Sequence, residues 1–356
     1  MKGAGVKKTV TTLADGRELI YYDAGDGEAR GAYPDRRPLE PAHRNAETRF
    51  DELQGEWVAI AAHRQDRTYK PPANQCPLCP STEDRLTEIP APDYEVAVFE
   101  NRFPSLGGPD GGRCEVVAFT SDHDKSFADL TEDQVALVLE AWTDRTAELL
   151  ARPDVKQVYC FENRGEEIGV TLSHPHGQIY AFPYVAPKMD RELTRAAAHR
   201  AETGRNLFDD MIEREAADVR VIEENEHWLA FTPYAARWPY EAHLYPKRRV
   251  ADFTELDEAQ RLAFAPIYLS LLRRFDGLFP NEDATPGRTP YISAWHQAPK
   301  RAPGAPAEVA LHAEVFTVRR APGKLKYLAG AESGMGAFAS DTTPESAALA
   351  LRGAGR

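Results

Sequence analysis

With 356 residues, 42% of them hydrophobic, the chain is long enough to bury a sizeable core in one large domain or two ordinary ones. A formal net charge of -13 excludes a general nucleic-acid surface, which needs a basic stripe to displace phosphate counterions. No apolar run nears the roughly 18 residues of a membrane span and no signal-type stretch follows the lysines of the first ten residues, so no membrane partner and a cytoplasmic location are expected.

Residues 1–45, rich in Gly, Asp, Arg and Pro, read as a peripheral arm with one strand candidate over 18–22. Strand-like runs follow at 57–61, 94–99, 115–119 and 158–161, alternating or continuous apolar segments bounded by turn residues. The spacing of Val135, Val138, Leu139, Trp142 and Leu149 predicts an amphipathic helix over 131–150, and Thr131 with Gln134 forms a capping-box signature at its start. A polar helix is expected over 188–217.

The letters around the first helix start, Phe127-Ala-Asp-Leu130-Thr-Glu132-Asp-Gln134, return as Phe253-Thr-Glu-Leu256-Asp-Glu258-Ala-Gln260. In both places strands precede an amphipathic stretch and strands follow it, here 227–231 and 242–245 before a helix over 261–279, then 291–295 and 309–316. Two copies of one α+β unit are therefore expected, over 46–187 and 218–332. A loop-like tail over 333–356 follows, its last ten residues frayed.

The chemistry concentrates at Ser173-His174-Pro175-His176-Gly177-Gln178, just before a strand-like Ile179-Tyr-Ala-Phe182. Two histidines flanking one residue in extended chain project to the same side, so one can hold a metal while the other attacks a substrate. Thiolates three positions apart in Cys76-Pro-Leu-Cys79 can grip one tetrahedral ion, although a C-x-x-C pair also serves redox chemistry. With one such pair two further ligands are needed, and His123 and His174 are the best candidates; a site so closed would be structural, zinc its natural occupant, and would fix His176 two residues on.

A neutral imidazole at His176 can attack phosphorus without first losing a proton, provided donors meet the phosphoryl oxygens; Gln178, Arg64 and Arg67 are those candidates. Cys114 and Cys160 fit buried small hydrophobes, and His43, His199, His227 and His243 follow no partner pattern.

His174-Pro-His176-Gly-Gln178 resembles the signature of galactose-1-phosphate uridylyltransferases, a branch of the histidine-triad superfamily. Arg49 through Arg67, Cys76-Pro-Leu-Cys79, Ser121-Asp-His123, Phe161-Glu-Asn163-Arg164-Gly165, Trp295-His296, His312 and Lys326-Tyr327 with Glu332 are similar to further family segments, in the same order. The resemblance implies an α+β fold of two histidine-triad-like repeats sharing an antiparallel sheet with helices packed on it, and a homodimer. It implies ping-pong transfer of a uridylyl group through His176 from UDP-glucose to galactose 1-phosphate. Arg64, Arg67, Asn101, Asn163, Thr171, Lys326, Tyr327 and Glu332 would then bind substrate, with Thr171 where the family often has serine and Ala331 where an aromatic residue is expected. A second metal, iron or another zinc, would be held by Glu192, His296, His312 and Glu314, with glutamate at 314 where a third histidine is common. The competing readings are a related sugar-nucleotide phosphorylase or adenylyltransferase using the same histidine, and a nucleotide-binding protein without catalysis.

Overall fold

A computed structural model describes residues 5–27, 30–42, 46–66, 71–281, 283, 285, 287–301 and 308–355. The chain divides into two compact units: residues 1–160, 171–191 and 299–305 form the first, and 161–170, 192–298 and 306–356 the second. Among the described residues, no helix is long and apolar enough to cross a membrane.

The first unit contains β1 (Val6–Thr12), β2 (Glu18–Ala24), the hairpin β3 (Glu47–Asp51) and β4 (Glu56–Ile60), β5 (Val96–Glu100), β6 (Arg113–Ala118), the helix α1 (Glu132–Ala151), the start of β7 (Gln157–Arg164), β8 (His176–Phe182) and the start of α2 (Pro187–Thr203). Its sheet runs β1-β2-β5-β6-β8-β7. Within the segment read as a peripheral arm, residues 6–24 are instead the hairpin β1/β2, registered on β5 through Leu19↔Phe99 and Tyr21↔Ala97. Lys7, Lys8 and the threonines of β1 mask an edge strand, while Leu13, Leu19 and Tyr21 enter the core that also holds Leu78, Ile89 and Tyr94 around the cysteine loop.

The second unit holds most of α2, α3 (Leu207–Ala216), β9 (Val221–Glu224), β10 (Trp228–Phe231), β11 (Tyr240–Pro246), α4 (Glu258–Gly277), β12 (Tyr291–His296), β13 (His312–Thr317), the short β14 (Arg319–Ala321) and β15 (Lys324–Leu325), α5 (Gly330–Met335) and α6 (Pro344–Ala354). Its sheet runs β12-β13-β11-β10-β9. The single helix expected over 188–217 is two helices. Gly204, at φ 74°, ends α2 in the left-handed region, and Asn206 caps α3 by accepting from the N–H groups of Phe208 and Asp209. The tail expected to fray forms α6, started by Thr343 and Pro344, with Ala347, Ala348 and Leu351 buried against α4, β9 and β11.

The repeat read in the letters is a repeat of structure. Strand order β5-β6-β8-β7 in the first unit matches β10-β11-β13-β12 as the strands follow one another in the chain, and α1 and α4 each start on a capping box, Thr131/Gln134 and Asp257/Gln260. Phe127 and Phe253, in a tight helical turn before each helix, are fully buried.

Two buried carboxylates, one in each unit, show burial and neighbouring charge in opposition. Glu115 on β6 bonds Arg113 at 2.6 Å and Arg145 of α1 at 2.7 Å. Burial alone would raise its carboxyl, but the two guanidinium groups outweigh that and hold it below the ordinary range. Glu162 on β7 accepts from the Tyr291 hydroxyl at 2.8 Å, and here burial prevails over Arg164 and pushes the carboxyl up to about 7. The native state therefore holds this proton between pH 4.5 and about 7, where the unfolded chain has released it. Stability should fall across that window by up to roughly 3 kcal/mol and level off above it. Urea unfolding at pH 5 and pH 8 should reveal the loss in the native sequence and a markedly smaller one in Glu162→Gln.

Candidate active site and metal centres

Strand β8 lies on β6 with Ala118↔His176, Val117↔Gly177 and Val116↔Gln178. The two-residue period buries Gly177, Ile179 and Ala181 on one face and leaves His176, Gln178 and Tyr180 half-buried on the other. The chain entering the strand is pinned to β6 by the Phe119 N–H, which donates to the Pro175 carbonyl at 3.3 Å.

Immediately before β8, His174 joins Cys76, Cys79 and His123 in a cluster whose four ligand atoms all lie within 4.8 Å of one another. Its Nδ1 faces Cys79 Sγ at 3.6 Å, and His123 Nδ1 lies 3.4 Å from the same sulfur. His174 Nε2 sits 2.8 Å from both the Thr120 carbonyl and the Tyr94 hydroxyl, and Tyr94 donates its own proton to the Leu78 carbonyl at 2.8 Å. Nε2 is thus the protonated nitrogen and Nδ1 keeps its lone pair for a metal. Burial pulls His174 down to about 4, so the ring is neutral, as a ligand must be. Burial and the adjacent Cys76 push the Cys79 thiol up to about 12, so it would ionise once a cation supplied the opposing charge. The donor set therefore fits a metal, tetrahedral and without an open position.

His176 is tied to this cluster through one atom: its Nδ1–H donates to the His174 carbonyl at 2.7 Å. Burial lowers its pKa, so the ring is neutral with the lone pair on Nε2. His176 lines a cavity of about 480 Å³ together with Gln178, Arg64, Asn101 and Thr171. Arg64 is held by Ser105 Oγ, the Phe103 carbonyl at 3.3 Å and the Tyr180 hydroxyl at 3.3 Å, and the Asn101 side chain accepts from the Phe103 N–H at 2.9 Å. Arg67 lies outside the described residues.

Three further arginines on the cavity wall, Arg37, Arg85 and Arg102, escape sequence reading because they stand in loops without a pattern. Arg37 is paired with Asp35 and Glu88, each at 2.8 Å, and Arg102 stands 3.8 Å from Glu88. Arg85 keeps a buried Nε with no hydrogen-bond partner. The size and the cationic wall suit a phosphorylated ligand.

The other predicted residues belong to the second unit. Asn163 is on β7; Lys326 is buried, bonded to the Ala339 carbonyl and to Glu332 at 3.3 Å, while Tyr327 is 75% exposed. The ligand atoms of Glu192, His296 and His312 lie within 4.8 Å of one another. Glu314 touches this group, 3.5 Å from His296 and 3.7 Å from His312, and equally joins a second triplet with Glu241 and His243. His243, which has no partner pattern in sequence, has partners here.

A neutral imidazole presented to an arginine-lined cavity suits chemistry at a phosphorylated ligand, and comparison with known proteins gives the class, a nucleotidyltransferase. Family models for the N-terminal and C-terminal domains of galactose-1-phosphate uridyl transferase match residues 107–186 and 192–354. The galactose-1-phosphate uridylyltransferase of Streptomyces lividans is 59% identical over 295 residues, 83% of this chain and 81% of the relative. That of Thermotoga maritima is 34% identical over 322 residues, 86% of this chain and 98% of the relative. A solved structure described as a uridylyltransferase superposes with a TM-score of 0.76 at 31% identity, covering 87% of this chain and 98% of its own. An ADP-glucose phosphorylase from Arabidopsis thaliana, with a TM-score of 0.66 at 22% identity over 86% of this chain and 99% of its own, shares the fold alone. The chain belongs to the galactose-1-phosphate uridylyltransferase family.

The bond from His174 to Tyr94 should matter to metal binding before it matters to anything else. Tyr94→Phe removes one of two acceptors for the Nε2 proton and should weaken Zn2+ binding by about tenfold, the low end for such a change because Thr120 still accepts. Competition with a chromophoric chelator measures it.

Proposed function

We propose that this chain transfers a uridylyl group from UDP-glucose to galactose 1-phosphate in two displacements through a uridylyl-histidine on His176. The observation that carries the reading is the neutral His176 ring, with Nδ1–H committed to the His174 carbonyl and Nε2 left for substrate. The Nε2 lone pair forms a bond to the α-phosphorus, and the bond to the β-phosphate oxygen breaks, that oxygen leaving with its electron pair as glucose 1-phosphate. The ring gains positive charge as it bonds, and the carbonyl accepting from Nδ1 stabilises that charge. A phosphate oxygen of galactose 1-phosphate then attacks the same phosphorus and returns the electron pair to Nε2. Because the two displacements are alike, Gln178, Arg64 and Arg67 serve the same phosphoryl oxygens in both, with Asn101 and Thr171 positioning them.

The remaining assignments rest on the resemblance in sequence. Asn163 binds the nucleotide phosphates, and Lys326, Tyr327 and Glu332 the sugar. Zinc occupies the Cys76, Cys79, His123 and His174 centre and anchors His174; a second cation, iron or zinc, is held by Glu192, His296, His312 and Glu314. In favour of the second centre, Glu192 Oε2 is buried without a hydrogen-bond partner, as a carboxylate oxygen reserved for a cation would be. The protein acts as a homodimer in the cytoplasm, a compartment that suits four free cysteines.

Incubation with UDP-glucose labelled at the α-phosphate, without acceptor, should leave acid-labile, base-stable label on the protein, discharged by galactose 1-phosphate as UDP-galactose. His176→Ala should carry none while keeping its zinc; label persisting in that variant would overturn the mechanism. Gln178→Ala should label 10²–10³-fold more slowly, roughly the loss of one oxyanion donor.

A further inference from the structure

The second unit holds three carboxylates and three imidazoles in two adjoining groups, Glu192, His296 and His312 beside Glu241, His243 and Glu314, more than the four ligands that sequence supplies. Strand pairing puts them there: His243 of β11 lies directly opposite Glu314 of β13, and His296 of β12 directly opposite His312. Residues opposite one another across an antiparallel ladder share a face, as do residues two apart, so His243, His296, His312 and Glu314 all project to one side of the sheet. The Glu314 carboxylate stands among the three rings, 3.7 Å from His243 Nε2, 3.7 Å from His312 Nε2 and 3.5 Å from His296 Nε2. The rings of His243 and His312 are 6.1 Å apart, and those of His296 and His312 stack at 4.8 Å. His312 donates its Nδ1–H to the Ala310 carbonyl at 2.9 Å, which leaves Nε2 as a donor atom.

Glu241 explains why His243 stands where it does. One of its oxygens accepts from the N–H groups of Arg237 and Trp238 at 2.7 and 3.1 Å, and the other lies 3.0 Å from His243 Nε2. Glu241, itself locked to the backbone, thus meets the same Nε2 that faces Glu314, so His243 offers that nitrogen to the cluster when a cation replaces the proton between them. Glu192, Glu241 and Glu314 thus stand beside three imidazoles, a set of oxygen and nitrogen donors that could be shared by one cation.

We propose that His243 is a ligand of the second-unit cation through Nε2, so that Glu192, His296, His312, Glu314 and His243 share one centre, the cation taking the place of the proton that His243 Nε2 shares with Glu241. This rests on the reading that a second centre exists. A donor set of nitrogen and oxygen without sulfur suits a borderline divalent ion such as Fe2+, Zn2+ or Co2+.

Cobalt titration of chelator-treated protein tests it, read by metal content and by visible absorption; thiolate charge-transfer bands, which only the cysteine centre can give, separate the two sites. Native protein, His312→Leu and His243→Leu are compared, with His243→Gln repeating the test without an apolar change at a buried position. The native chain should take up Co2+ with d–d bands and no thiolate band beyond the cysteine centre, His312→Leu should lose that uptake, and both His243 variants should bind at least tenfold more weakly with shifted d–d bands. Native affinity and bands in the His243 variants, with uptake lost in His312→Leu, would overturn the role of His243 and leave the second centre standing. Weakened binding with unshifted bands would also overturn it, making His243 a neighbour rather than a ligand. No uptake by the native chain beyond the cysteine centre would remove both readings.

Discussion

A single peptide carbonyl, that of His174, couples the two kinds of chemistry in the first unit. On its side-chain end His174 is fixed by Thr120, Tyr94 and the Cys79 thiol; on its backbone end its carbonyl accepts from His176. A shift of the metal-binding loop would move that oxygen, and with it both the orientation and the protonated nitrogen of the His176 ring. A cation held by all four side chains would leave the cluster no reactive position of its own, and its value would lie in where it holds the next two residues. The packing of Leu78 and the two cysteines against Leu13, Leu19 and Tyr21 extends the same constraint back to the N-terminal hairpin.

The two copies of the unit use matching positions for different ends. In the order of strands β8 corresponds to β13, so His176 and Gln178 correspond to His312 and Glu314, each histidine opening its strand. Each also donates Nδ1–H to the carbonyl two residues before it, at 2.7 Å in one copy and 2.9 Å in the other. The same local device thus frees Nε2 in both copies. What differs is the company: in the first copy the neighbours are a neutral amide and arginines, which favour an anionic phosphorus centre, and in the second they are carboxylates, which favour a cation.

Much of this was legible in the letters, for reasons that can be named. The His-Pro-His segment, the cysteine pair and the echo of Phe127 to Gln134 in Phe253 to Gln260 are local patterns whose spacing carries the geometry, and they place the strand of His176, the cysteine loop and both long helices. β1 was not legible because an edge strand of lysines and threonines alternates without strong apolar contrast. The break between α2 and α3 turns on one glycine and one asparagine side chain within an otherwise helical stretch. Arg85, Arg102 and His243 were missed for a common reason: each takes its meaning from residues far away in the chain, through loop packing or the β11–β13 register, which no local pattern encodes.

Cys76 and His174 are separated by roughly a hundred residues, so a metal held by both closes one of the longer loops in the first unit. A cross-link of that kind acts on the unfolded chain as much as on the native one, restricting the former's freedom while adding the latter's coordination bonds. The unit's resistance to unfolding is then a mass-action quantity, rising by about 1.4 kcal/mol for each tenfold increase in free metal above the dissociation constant, so the same sequence is more or less durable according to the metal its surroundings supply.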